Sequence, residues 1–90
     1  MTYAVVWKPT AEGELAEVWM NASDRTAVAV AAHRLETVLR TDAHEAGESR
    51  LEATRILFEA PLGITVHVDE VARIASVIEV WRFRGPTRFR

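Results

Sequence analysis

The spacing of apolar positions changes twice along this chain, and each change marks a change of element. Tyr3 to Trp7 is a continuous apolar run, Y-A-V-V-W, closed by Lys8-Pro9. Its shortness and its aromatic and β-branched content predict a strand that ends at Pro9. From there the period becomes helical: Ala11, Leu15, Val18, Trp19 and Ala22 fall on one face. Thr10 is the expected N-cap, Glu12 and Glu14 sit where the helix dipole favours acids, and Gly13 weakens the element slightly. The polar cluster Asn21 to Asp24 breaks the pattern, and Ser23 or Asp24 can cap a second helix from about Arg25 to Thr41. Its stripe is Val28, Ala31, Leu35, Val38 and Leu39 with Ala27 beside it, and Glu36 and Arg40 form an i,i+4 pair on the outer side. Asp42 to Ser49 is polar, contains Gly47 and reads as a loop.

After the loop the period drops to two. Arg55 to Glu59 is the next expected strand, Ala60-Pro61-Leu62-Gly63 its turn, and Ile64 to Val68 the strand that returns. In that strand Ile64, Val66 and Val68 share one face, with Thr65 and His67 on the other. Asp69 to Arg73 turns the chain again into the longest strand, Ile74 to Phe83, stopped by Gly85-Pro86. Strict alternation there groups Val77, Glu79, Trp81 and Phe83 against Ile78, Val80 and Arg82. The order is β-α-α-β-β-β. Hairpin-length turns make the last three strands an antiparallel meander, and two amphipathic helices must bury their stripes against one face of it. The expected fold is a two-layer α+β domain whose other sheet face, bearing Thr65, His67, Glu79 and Trp81, is partly open.

Composition narrows the class without changing the fold. A chain of 90 residues makes a single domain over 1–90 and has a thin stability margin, so a permanent partner would help it. At 49% hydrophobic and 27% charged residues it is an ordinary globular protein rather than a disordered one. It has no cysteine, which excludes a disulfide framework and thiolate chemistry. Nothing reads as a signal peptide and no stretch is long enough to span a membrane, so the expectation is a cytoplasmic protein with no membrane partner. Net charge is −2, but residues 1–49 carry −4 and residues 50–90 carry +2. All basic residues except Lys8 are arginines, the side chain that grips phosphate and carboxylate in a planar fork.

Four groups could carry chemistry. Arg55 opens one strand, Arg82 and Arg84 end the last, and Arg88 and Arg90 lie in the tail W-R-F-R-G-P-T-R-F-R. Such a cluster can hold phosphates and stabilise a phosphoryl-transfer transition state, with His67 as acid or base; the bland alternative is a solvated sheet end with a basic tail. His33, His44 and His67 have no metal-ligand spacing, so neither metal nor cofactor is expected. The acidic pairs Asp69-Glu70 and Glu12/Glu14 have local explanations in a turn and a helix start. Trp81 and Phe83 alternate with Arg82 and Arg84, a pattern that stacks bases, or else packs in a core or partner interface.

Across about residues 3 to 84 the chain resembles the RelE/ParE superfamily of bacterial toxins from type II toxin–antitoxin, or plasmid stabilisation, systems. The likeness lies in V-V-W-K-P-T-A at Val5 to Ala11, the helix pair, and R-I-L-F-x-x-P-L-G-(x)4-V-D-E followed by V-I-E-V-W-R-F. It implies a small toxin of one of two kinds. RelE-like members are metal-independent endoribonucleases (mRNA interferases) that bind RNA and cut mRNA in the ribosome; ParE-like members inhibit DNA gyrase. A third version is a degenerate toxin that acts only through protein binding. The resemblance also implies a cognate antitoxin that wraps the toxin as a helix and often an added strand, in a toxin–antitoxin hetero-oligomer; the rival reading is an unrelated small α+β domain that forms a homodimer through its open sheet face. Carried over by position, the basic residue of the first meander strand is Arg55 with Arg50 just upstream, and the one closing the last strand is Arg82 or Arg84. The arginine that RelE-like enzymes carry on the middle strand has no match here; the nearest polar residues are Thr65 and His67. The reading of the residues and the resemblance together give as candidate catalytic residues Arg55, His67, Arg82 and Arg84, with Arg50, Arg88 and Arg90 contacting phosphate or RNA.

Overall fold

A computed structural model of the chain describes residues 2–50 and 53–84. Its elements are β1 (Ala4–Trp7), α1 (Pro9–Asn21), α2 (Arg25–Asp42), β2 (Glu48–Ser49), β3 (Thr54–Glu59), β4 (Leu62–Asp69) and β5 (Ile74–Arg82). The five strands form one sheet in the order β1-β5-β4-β3-β2, with β1 parallel to β5 and every other pair antiparallel. Both helices lie on one face of it. The core between the layers holds Val28, Ala31, Leu35 and Leu39 of α2, Ala11 of α1, and Leu57, Leu62, Ile64, Val66, Ala75, Val77 and Val80 of the sheet. This is the expected α+β two-layer architecture, with one further strand.

Helix α1 starts one residue before Thr10. Lys8 is its N-cap, without a side-chain cap bond, and Pro9 takes the first turn, where its missing N–H costs nothing and its fixed φ already suits a helix. At α2 the cap is Asp24, whose carboxylate accepts from the Ala27 N–H at 3.0 Å. Two members of the expected stripes, Trp19 and Val38, are each 41% exposed. The expected loop 42–49 includes β2, which pairs Glu48 with Ile56 and Ser49 with Arg55. Leu62 and Gly63, expected in a turn, open β4 instead, so Ala60 and Pro61 alone connect β3 to β4.

The alternation expected along β5 fails at its middle. Thr65 pairs with Glu79 but Val66 pairs with Val77, so Ile78 is an extra residue, a β-bulge. The bulge turns both Val77 and Val80 into the core and leaves Glu79 exposed. The bulge also falls where β1 runs out. The last rung joining β1 to β5 is the Lys8 N–H to the Val77 carbonyl at 3.0 Å. Beyond it no strand of the described residues flanks β5 on that side, and the Val80 N–H is taken by the Glu14 carboxylate of α1 at 2.8 Å. A helix side chain thus finishes the ladder that the short strand β1 leaves incomplete.

Candidate functional site

Register decides which side chains share the open sheet face. Thr54 faces His67, Ile56 faces Thr65 and Phe58 faces Gly63 across β3 and β4; His67 faces Ser76, Thr65 faces Glu79 and Gly63 faces Trp81 across β4 and β5. One end of this face is aromatic. The Phe58 ring lies 4.5 Å from Phe83 and 6.3 Å, edge-on, from Trp81. The Trp81 indole lies over Gly63, with ring atoms 2.6 Å from where a Cβ would stand. Glycine there is a requirement of close approach. The other end is polar, with His67 exposed and Thr65 buried.

The expected site residues are distributed over several surfaces. Arg55 pairs with Val66, on the helix side of β3. Its Nε donates to the Ala46 carbonyl and its terminal Nη2 to the Gly47 carbonyl at 3.3 Å. Those bonds hold the segment where Gly47 takes φ +62° and packs against the Ile56 carbonyl. His67 is a neighbour of Arg55 in register but on the opposite face. Arg82 pairs with Leu62 at the far end of β4, about 16 Å from the His67 position at ~3.3 Å per residue. Together with Ser23, Asp24 and Pro61 it lines a cavity of about 280 Å³. Arg84 is exposed, and Arg50 is tied to Glu48 at 2.9 Å on the β2 side. Arg88 and Arg90 lie outside the described residues. Among the described residues no group of histidines and carboxylates is placed to hold a metal ion, and no helix is long and apolar enough to cross a membrane.

A broad concavity lies on the helix side. A groove of about 600 Å³ is lined by Trp7 of β1, Leu15 and Trp19 of α1 and Ala32 of α2, with Glu12, His33 and Glu36 among its polar residues. It continues past Trp19 and His33 into a second hollow of about 430 Å³. The Trp7 indole donates to Glu36 at 3.0 Å, and Glu36 also receives Arg40 at 2.6 Å. Arg25 stacks 4.5 Å above Trp19 and donates to the Trp19 and Met20 carbonyls at the end of α1. The sequence signal for this groove is Trp19, a large residue at the margin of a stripe that the core does not need.

Behind β1, Tyr3 is buried and donates to Glu70 at 2.7 Å while receiving Arg73 at 3.1 Å. Burial raises the phenol's pKa above its ordinary value of 10.0, the Glu70 hydrogen bond and charge raise it further, and Arg73 opposes them.

No family model matches the sequence, and no curated protein matches it. Solved structures do. The toxin–antitoxin complex RelBE2 from Mycobacterium tuberculosis contains a chain 17% identical, aligned over 91% of this chain and 92% of that one with a TM-score of 0.66. A chain of the chromosomal ParDE toxin–antitoxin system of P. aeruginosa is 15% identical over 92% and 98%, with a TM-score of 0.70. A mutant of E. coli toxin RelE in the free state is 20% identical over 91% and 84%, with a TM-score of 0.62. The chain therefore has the RelE/ParE toxin fold.

Proposed function

We propose that this protein is the toxin of a type II toxin–antitoxin pair and is neutralised by a cognate antitoxin. The observation that carries the reading is the fold match, which covers 91–92% of the chain against RelE-type and ParE-type structures alike. A small domain with an open aromatic sheet end and an apolar helix groove is suited to a protein partner, since both surfaces leave tryptophan half exposed.

Of the two toxin activities, protein binding is the one the side-chain placement favours. Arg55 is engaged with backbone carbonyls on the helix side, His67 stands on the opposite face, and Arg82 lies at the other end of β4. A ParE-like toxin that disables gyrase by docking needs no convergent acid–base set. The endoribonuclease reading rests on His67, exposed at the polar end of the open face, and on Arg82 and Arg84, with Arg55 in β3, Arg50 just after β2, and Arg88 and Arg90 further along the sequence. Both readings place the target inside the cytoplasm. The deciding experiment is induced expression followed by mapping of mRNA 5′ ends and measurement of DNA synthesis. Blocked replication with intact mRNA is the expected result; new ends inside codons would replace it with the ribonuclease reading, and an Arg82→Ala plus Arg84→Ala variant should then lose them.

A further inference from the structure

The outer trough between α1 and α2 is bipolar. The short connection after Asn21 returns α2 beside α1, so the 600 Å³ groove and the 430 Å³ hollow, which share Trp19 and His33, run end to end along the helix pair. Near the connection the ionisable lining is entirely basic: Arg25, His33 and Arg34. At the far end stand Glu12 and Glu36. Arg34 is paired with Glu59, and Glu36 with Arg40. Arg25 and Glu12 have no ion pair among the described residues. Arg25 is nonetheless held still, by its stacking on Trp19 and its bonds to the Trp19 and Met20 carbonyls. It therefore has little side-chain freedom left to lose on meeting a partner.

Between its charged ends the trough is apolar and low-walled. Trp19, Met20 and Val30 are exposed large hydrophobic residues. Ala16 and Ala29 are exposed as well, and their small side chains let another helix approach closely. A surface that is positive at one end, apolar in the middle and negative at the other is complementary to itself after a half-turn, which is the condition for a two-fold interface. We infer that this trough is the interface of a symmetric homodimer. The helix pairs of the two protomers pack antiparallel, as in a four-helix bundle, with the two-fold axis over the middle of α2. Arg25 of one protomer then meets the partner's Glu12, and its own Glu12 meets the partner's Arg25. Arg25 and Glu36 lie about 16 Å apart along α2 at ~1.5 Å per residue, which keeps the like charges of the two protomers apart. The second copy is singled out because the pattern the trough complements is its own reversed one. The interface uses the helix side and leaves the open sheet face free.

The test is sedimentation velocity of the full chain from about 1 μM to about 1 mM. A monomer–dimer equilibrium is expected. Ala16→Arg sets a charge in the middle of the trough at an exposed position, and should weaken association at least about tenfold while thermal melts confirm that the variant is folded. Arg25→Glu and Glu12→Arg should each weaken it about tenfold, because each places like charges against one another twice. Mixing these two variants in equal amounts restores both ion pairs in the heterodimer, so the mixture should associate within about threefold of the parent chain. Rescue on mixing also separates the interface from any loss of folding in a single variant. A chain that stays monomeric throughout the range, a dimer untouched by Ala16→Arg, or charge variants that remain apart when mixed would each overturn the proposal. Association is read without reference to toxicity. A monomeric toxin would therefore refute the dimer alone, and an innocuous dimer would refute the toxin reading alone.

Discussion

Replacing Glu14 probes the point where the architecture depends on a single side chain. The Glu14 carboxylate accepts the Val80 N–H at 2.8 Å, and Val80 is only 4% exposed. Glu14→Ala leaves that N–H without an acceptor on a strand edge that β1 no longer covers. A hydrogen bond to a charged group is worth roughly 1.5–3 kcal/mol, and a buried donor left unpaired costs about 1–3 kcal/mol. Because Glu14 itself is half exposed, solvent screening and water access reduce this, and we expect a loss of about 1–2 kcal/mol. For a domain of this size that is a fall in Tm of about 4–8 °C for each kcal/mol. Alanine is also the better helix former, by a few tenths of a kcal/mol, so the control is Glu17→Ala on the exposed face of the same helix. Glu14→Gln keeps an acceptor and should recover at least half of the loss. Urea melts of the three variants supply the comparison. If Glu14→Ala matched Glu17→Ala within about 0.3 kcal/mol, a spread below that of ordinary surface substitutions, the proposed role of Glu14 in completing the β5 edge would be wrong.

Other expected outcomes follow from the same structure. Gly63→Ala should cost about 1–3 kcal/mol by displacing the Trp81 indole, and Trp81→Ala should remove most of that cost in a double-mutant cycle; additive effects would show that the two do not touch. Arg55→Ala should lower stability by about 1–2 kcal/mol through the freed Ala46 and Gly47 carbonyls, so any loss of toxicity in that variant has to be compared with its melting curve; an unchanged melt would free Arg55 for a direct functional role. The raised pKa of Tyr3 means that its contribution to stability is fully present below about pH 10, the ordinary phenol value, and is lost as pH rises through the folded-state value. Tyr3→Phe should therefore flatten the alkaline limb of the stability profile, and a profile that keeps its alkaline slope would assign the limb to another group.

Much of the fold was legible because the apolar period changes cleanly. The strand 3–7, both helices and the three long strands each announce themselves by period and by their Gly and Pro stops. The places that were not legible have physical causes. The bulge at Ile78 is invisible to alternation because both Val77 and Val80 are apolar, so either side could have been the core. Strand β2 is two residues long and carries no apolar signal; it exists because Arg55 and Gly47 bring it against β3. Leu62 and Gly63 look like a turn by composition, but Leu62 is needed in the core and Gly63 is needed under Trp81. The candidate site was legible in kind and not in place. Arginines at the strand ends were evident, but whether Arg55 faced phosphate or loop carbonyls depended on a pairing register that no single strand contains. The groove of Trp7, Leu15 and Trp19 draws on β1, α1 and α2, and only the packing of all three reveals it.

The central claim, that this is the toxin of a pair, is tested most directly by colony counts after induction of the chain alone and together with the product of a short gene adjacent to its own. The account expects viable counts to fall by orders of magnitude when the chain is expressed alone and to recover when the neighbour is co-expressed and co-purifies with it. Undiminished counts while the folded protein accumulates in the cell would contradict it.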